Sequence, residues 1–173
     1  MCVPIGRVGR FLHFKVSKTV MAYYRTSVSE DADILAPKMR KQDALEVWHS
    51  HNMSPLEALR FSFVSSVESN TIISNNGDVI GMFGVGEITP TIGVPWLLAS
   101  DDLNKVAREF LPESEKWVAR VNERYDLLYN YVYAGNKLSI RWLKWLGFSF
   151  IREIPLHGHN PAPFIEFAKH KGF

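Results

Sequence analysis

Hydrophobic and polar positions follow two rhythms along this chain. Residues 22–27, "AYYRTS", predict a short strand. "SEDADILAPKMRKQDALEVWHS" predicts one or two helices, with Ser29 as the first cap, acids in the first turn and a break at Pro37. In "SPLEALRFSFVSSV", Ser54, Pro55 and Glu57 form a capping box with proline at the first helical position. Leu56, Leu59, Phe63 and Val67 recur there at helical spacing and predict one apolar face. The period then shortens to two. "TIISNNGDVIGMFGVGEI" reads as two strands around Asn75-Asn76-Gly77-Asp78, because Asn-Gly supplies the positive φ angles of a tight hairpin. "GVPWLLAS" is continuously apolar, which predicts a strand covered on both faces.

Helical spacing returns from about Asp101 to Tyr125. Val106, Phe110, Trp117, Val118 and Val121 lie near one face, and Pro112 predicts a kink or two consecutive helices. "LLYNYVYA" is the next strand, with Tyr129, Tyr131 and Tyr133 sharing one face, read as a covered sheet face or, if left open, as an interaction surface. "AGNKLSIRWLKWLGFSFI" then predicts a helix capped by Asn136, with Leu138, Trp142, Trp145 and Leu146 as its apolar stripe. Gly147 suits the left-handed residue after the helix end. "FSFIREI" and "PFIEFAK" close the chain as two strands. From Met21 on there is no internal repeat and no domain boundary, so 21–173 is expected to be one domain. Its expected class is α/β (α+β): a mixed, mostly antiparallel central sheet flanked by helices.

Composition narrows the function classes. The chain has 173 residues, 46% of them hydrophobic and 22% charged, as in an ordinary globular domain. No apolar run approaches the roughly 18 residues of a membrane helix. The one cysteine, Cys2, rules out an internal disulfide framework and fits a reducing compartment. The net charge of +2 hides an asymmetry: residues 1–20 carry Arg7, Arg10, Lys15 and Lys18 and no acid, so the remainder is at −2. The body is therefore no basic nucleic-acid binder by charge. Residues 1–20 have no continuous apolar region for a signal peptide; they read as a disordered tail, or as a start assigned too far upstream of Met21-Ala22.

The order of elements resembles the GNAT acyl-CoA N-acyltransferase fold over about residues 22–168. "AGNKLSIRWLKWLGF" resembles that superfamily's last conserved block, in which Asn follows the fifth strand and a short helix ends in Gly-Phe. A second resemblance is carried by "MFGVG" (82–86), "GVPWLLAS" (93–100), "FLPESEKWVARV" (110–121) and "NKLSIRWLKWLGF" (136–148). Together these resemble a tailed-phage family of small GNAT-like proteins associated with internal virion proteins of short-tailed phages. That resemblance implies phage structural proteins as partners, and the host cytoplasm during assembly, then the virion, as location.

The superfamily resemblance also implies acetyl-CoA as cofactor if the protein is active, and the residues qualify this. A diphosphate needs backbone N–H groups at a helix start, in the superfamily a Gln/Arg-x-x-Gly-x-Gly/Ala loop. The matching stretch here, "ASDDLNKVAR", has no glycine and sets Asp101 and Asp102 where an anion would bind, offset only in part by Lys105 and Arg108. The position of the tyrosine that protonates the leaving thiolate in many such enzymes is Leu143, which has no proton to give. Glu87, after the "GMFGVG" strand, is the candidate general base, beside the plainer reading of a solvated strand-end glutamate. Leu97 and Leu98 are candidates to present backbone amides to an acyl group, Lys105 to meet the phosphates, and Asn136 to contact a pantetheine arm.

Other chemistries find less support. "HSHN" (49–52) and "HGHN" (157–160) contain no acid or cysteine, and nothing in the sequence brings them together, so they read as solvent-exposed loop histidines and no metal ligand is assigned. There is no Gly-x-Ser-x-Gly and no phosphate loop. Two readings remain: a phage virion or morphogenesis protein using a GNAT-like fold as a scaffold without efficient acetyl-CoA turnover, and an active acyl-CoA-dependent N-acetyltransferase with a divergent cofactor loop.

Overall fold

The computed structural model describes residues 22–172. Among the described residues seven strands and five helices follow one another: β1 (Tyr23–Thr26), α1 (Ser29–Leu35), a 3-10 turn (Ala36–Lys38), α2 (Lys41–His51), α3 (Pro55–Ser65), β2 (Ser66–Ile73), β3 (Val79–Thr89), β4 (Ile92–Ala99), α4 (Leu103–Arg124), β5 (Leu127–Tyr133), α5 (Lys137–Trp145), β6 (Ser149–His157) and β7 (Ala162–His170). The strands form one sheet in the order β1-β2-β3-β4-β5-β7-β6. Every neighbouring pair is antiparallel except β4 and β5. The fold is the expected mixed, mostly antiparallel sheet flanked by helices. The expectation for residues 1–20 concerns a segment outside the described residues.

Each face of the sheet carries its own core. On one, Leu35, Val47, Leu59, Met82 and Leu98 gather beneath α1, α2 and α3. On the other, Phe83, Phe110, Trp117, Val121 and Phe167 gather beneath α4 and α5. β4 feeds both: Leu97 packs on the second cluster and its neighbour Leu98 on the first, as its continuous apolar run predicts.

Several boundaries differ from the sequence reading. Ser29 is the first residue of α1 rather than its cap; the Asp31 carboxylate accepts from the N–H of Val28 instead. α3 keeps its predicted Ser54–Glu57 capping box, but ends at Ser65, so Val67 stands exposed on β2 rather than on a helical face. α4 is one helix with Pro112 inside it, not two. In α5 the side chains packed on the core are Ile140, Trp142, Leu143 and Leu146, while Trp145 is 48% exposed. The nine-residue helix is only half covered, and the stripe rotates toward Leu143. Gly147 takes the predicted left-handed turn at φ 78°, and its N–H and that of Phe148 close the helix end on Lys144 and Leu143. Among the described residues no helix is long and apolar enough to cross a membrane.

Candidate functional site

The one parallel pair in the sheet is also its shortest ladder. β4 and β5 pair only at Ile92–Leu127 and Gly93–Leu128, then part. The partner of β4 on its other side fixes which atoms face the opening. Ser100 donates to the Ile80 carbonyl, so in the antiparallel β3–β4 register the main-chain groups of residues 95, 97 and 99 point away from β3, toward β5. Pro95, which has no N–H, sits in this outward set, where proline costs no ladder bond. A cavity of about 730 Å³ passes through the opening and reaches both faces of the sheet. On the α4/α5 side Phe110, Trp117, Trp142 and Leu143 line it; on the α2/α3 side Glu46, Trp96, Tyr129, Tyr131 and His157 do.

Side chains bridge both ends of the opening. At the narrow end Asn130 donates to the Pro95 carbonyl (3.0 Å) and accepts from the Tyr131 N–H (2.8 Å), replacing a ladder rung. At the wide end α2 inserts an ionic cluster. Arg40, 2% exposed, and Asp43, 1% exposed, form a bidentate pair with N–O distances of 2.8–3.0 Å. The Asp43 carboxylate also accepts from the Ala99 N–H (2.9 Å), while the Arg40 N–H donates to the Ala99 carbonyl (2.8 Å). Both main-chain groups of Ala99 are thereby taken, and Met39 bridges to Ser100 in antiparallel fashion beside them. From the β5 side, Asn136 donates to Asp43 (2.9 Å) and to Glu46 (3.2 Å), and Glu46 accepts from the Tyr133 N–H (2.9 Å). Along the β4 edge of the gap, the N–H and C=O of Leu97 are left facing the cavity.

The cluster sets two carboxyls against one guanidinium. Burial, and then the neighbouring Asp43 charge, push the Glu46 carboxyl up to about 8, so at neutral pH it holds a proton. Burial also raises Asp43, against the pull of Arg40. The arrangement carries one full ion pair and one neutral acid that still accepts two N–H bonds. Nothing in the sequence reading singled out Arg40, Asp43 or Glu46. The available signal was Asp43, which lies one turn before the buried Val47 and so falls on the apolar side of α2.

The residues singled out from the sequence are distributed around this opening. Asn136 caps α5, accepting from the Ser139 N–H at 3.4 Å, and is 1% exposed with its amide committed to Asp43 and Glu46. Lys105 pairs with Asp102 at 2.6 Å, which holds that exposed carboxyl below the usual range. The first three N–H groups of α4 turn back onto the carbonyls of Ser100, Asp101 and Asp102. Glu87 accepts from the Tyr125 hydroxyl (2.8 Å) and from Arg124 (3.0 Å), tying the end of α4 to β3. Burial, then this bond to Glu87, raises the Tyr125 hydroxyl. Leu143 lines the cavity.

The two histidine segments meet, which nothing in the sequence indicates, and His49 and His51 lie on α2 rather than in a loop. His159 and Asn160 donate their N–H groups to the carbonyls of Ser50 and His49, and Asn160 reaches Trp48 and Asn52. Gly158, at φ 86°, brings its Cα against the backbone of His49; a Cβ there would lie 2.5 Å from that carbonyl. His49 stacks on Tyr133 and places its Nδ1 2.9 Å from the Asn160 carbonyl, and His157 stacks on Tyr131. Among the described residues no group of three or more His, Cys, Asp or Glu is placed to hold a metal ion. Tyr129, Tyr131 and Tyr133 share one face as predicted, but that face is only half covered, because Tyr129 and Tyr131 line the cavity.

No family model matches the chain. No curated protein matches it by sequence. Solved structures match in fold. A GCN5-related N-acetyltransferase from Kribbella flavida superposes with a TM-score of 0.64 at 15% identity, covering 86% of this chain and 97% of that one. A phosphinothricin acetyltransferase of the GNAT superfamily from Sinorhizobium meliloti, in complex with AcCoA, gives 0.65 at 17%, covering 87% and 89%. A spermidine N-acetyltransferase from Vibrio cholerae, in complex with CoA and spermine, gives 0.60 at 10%, covering 87% and 95%. At these identities the likeness is one of fold, and the fold is that of the GNAT acetyltransferases.

Proposed function

We propose that this protein is a GNAT-fold binding scaffold that does not turn over acetyl-CoA efficiently, and that it acts in building the particle of a short-tailed phage. One observation carries the first half: both main-chain groups of Ala99 are engaged by Arg40 and Asp43. A cofactor arm laid along the β4 edge as an extra strand would need those groups. It would have to displace a buried, bidentate ion pair, and removing one partner of such a pair costs about 3–5 kcal/mol. At the start of α4 the first N–H groups are turned onto local carbonyls, and Asp102 holds Lys105, so a diphosphate meets carboxylates rather than donors. Leu143 offers no proton to a leaving thiolate. The phage role rests on the resemblance of residues 82–86, 93–100, 110–121 and 136–148, with phage structural proteins as partners and the host cytoplasm, then the virion, as location.

Two measurements test this. Thermal unfolding with millimolar acetyl-CoA is expected to show no shift, where a ligand at 100 times its Kd would add about 2.7 kcal/mol. Purified particles or assembly intermediates are expected to contain the protein; its absence from all of them would end the phage role.

Glu46 favours the second reading, an active acyl-CoA-dependent N-acetyltransferase. A carboxyl at about 8 on the cavity wall is well poised to take a proton from an attacking amine. In that reaction the amine nitrogen bonds to the acyl carbon, Glu46 accepts the amine proton, the carbon–sulfur bond breaks, and water protonates the thiolate. Glu46 must be ionised first, so thiol release from acetyl-CoA would rise with pH through about 8 and vanish in Glu46→Gln. In this reading Lys105 meets the phosphates, Leu97 and Leu98 flank the acyl group, Asn136 contacts the pantetheine, and Glu87 is an alternative base.

A further inference from the structure

We infer that the turn between β6 and β7, residues 158–161, is a lid that lifts off the end of α2 in mild acid, with His51 and His157 as its trigger. This goes beyond the scaffold reading and does not depend on it.

Three observations lead there. First, the turn is docked through one small contact. The N–H groups of His159 and Asn160 donate to the carbonyls of Ser50 and His49 (3.1 and 2.9 Å), and the Asn160 side chain donates to the Trp48 carbonyl (2.8 Å) and to Asn52 (2.9 Å). These carbonyls belong to the last turn of α2, so the lid caps that helix in place of water. Second, the strands beneath it carry a hinge. The β6–β7 register breaks between Ile154 and His157, across Pro155, which has no N–H to give. Pro161 stands on the other side of the turn, just before β7. Third, the turn completes a wall of the cavity, where His157 and Gly158 meet Ser50 and His51. Among the described residues neither His51 nor His157 has a carboxylate partner. Burial, and then the charge of His157, hold His51 below the usual imidazole range, and burial does the same for His157.

The groups around the two rings leave this repulsion in place. On α2, the Glu46 carboxyl at about 8 is uncharged in the range where histidines titrate. His49 donates its Nδ1–H to the Asn160 carbonyl, so a second proton, on Nε2, would keep that bond. β5 presents tyrosines; the Tyr131 ring, stacked on His157 at 4.4 Å, attracts an imidazolium and offsets part of the burial. On β6 and β7, Arg152 and Glu166 pair with each other at 2.6 Å, and Glu153 is exposed, as is His159 on the turn itself. Once the turn lifts, the freed carbonyls at the end of α2 favour a charged His51. The docked state therefore prefers neutral rings and the lifted state prefers charged ones. Docking is at full strength above the ordinary histidine value of about 6.5 and is lost as pH falls below it. Each proton taken up on lifting multiplies the opening constant by up to about ten per pH unit.

The test is amide hydrogen exchange on the full chain, read by NMR as protection factors at pH 7.5 and 5.5. The His159 and Asn160 amides are expected to lose at least tenfold in protection at the lower pH, while the β5–β7 ladder keeps its own. Replacing both rings, His51→Gln with His157→Gln, is expected to remove this pH response. His51 keeps solvent contact on α2, so His51→Gln alone guards against a misfolded double variant and is expected to reduce the response. Gly158→Val, whose Cβ would meet the His49 carbonyl, is expected to lift the turn at both pH values. Equal protection of the turn at the two pH values would overturn the inference. So would loss of protection in the ladder together with the turn, or a full response persisting in His51→Gln or in the double variant.

Discussion

The two ends of the gap between β4 and β5 solve one problem with different chemistry. At the narrow end a single neutral amide, Asn130, stitches the strands through two hydrogen bonds. At the wide end α2 and α5 converge on a buried guanidinium, a carboxylate, a neutral acid and an amide. The first end replaces a ladder rung. The second occupies strand-edge atoms that a ligand would otherwise use, and does so with charges that are costly to separate. On the scaffold reading we propose, the fold keeps its opening while the wide end bars a charged cofactor.

The largest effect is expected from Asp43→Ala. It strands Arg40 in a buried site and frees the Ala99 N–H, so it should lower stability by about 3–5 kcal/mol. For a chain of this size that is a fall in Tm of about 6–20 °C, at 2–4 °C per kcal/mol. A loss below about 1 kcal/mol would mean that the wide end is no stronger than the narrow one.

Glu46 sharpens the contrast through pH. Its folded carboxyl at about 8 lies above the ordinary value of 4.5, so between those pH values the folded state holds a proton that the unfolded state has released. Stability from this group is complete below about 4.5 and is lost as pH rises toward 8, with a limiting slope of about 1.4 kcal/mol per pH unit. His51 and His157, both lowered mainly by burial, act with the opposite sign near their own range. The difference between wild type and Glu46→Gln isolates the carboxyl: Glu46→Gln should be close to wild type near pH 5 and more stable at pH 8.5. Parallel stability curves for the two proteins would remove the neutral acid from the cluster.

Asn130→Ala should cost about 1 kcal/mol, the usual net value of a neutral hydrogen bond, which denaturant titration resolves. Lys105→Ala should leave Tm nearly unchanged in a thermal melt, because the Asp102–Lys105 pair is exposed and screened by solvent.

The fold was legible in the sequence because its signals are local. Ser54–Glu57 capping, the run from Gly93 to Ala99, and Asn136 with Gly147 bounding α5 each predict an element from neighbouring residues. The site was legible only in part, because its parts meet across long separations. Asp43 touches Ala99 and Asn136, and Glu46 touches Tyr133, through contacts that no periodicity encodes. The histidine segments are the same case: their pairing follows from Gly158 fitting against His49, more than a hundred residues away. Helical spacing locates a stripe only to within a residue or so, and in α5 it points to Trp145 where the structure packs Leu143 on the core instead.

The proposed closure of the cofactor track is tested most directly by phosphorus NMR of coenzyme A titrated with the full chain at neutral pH. The expected result is diphosphate resonances that neither shift nor broaden up to one equivalent of protein at millimolar concentration. A saturable, stoichiometric shift of those resonances would contradict it.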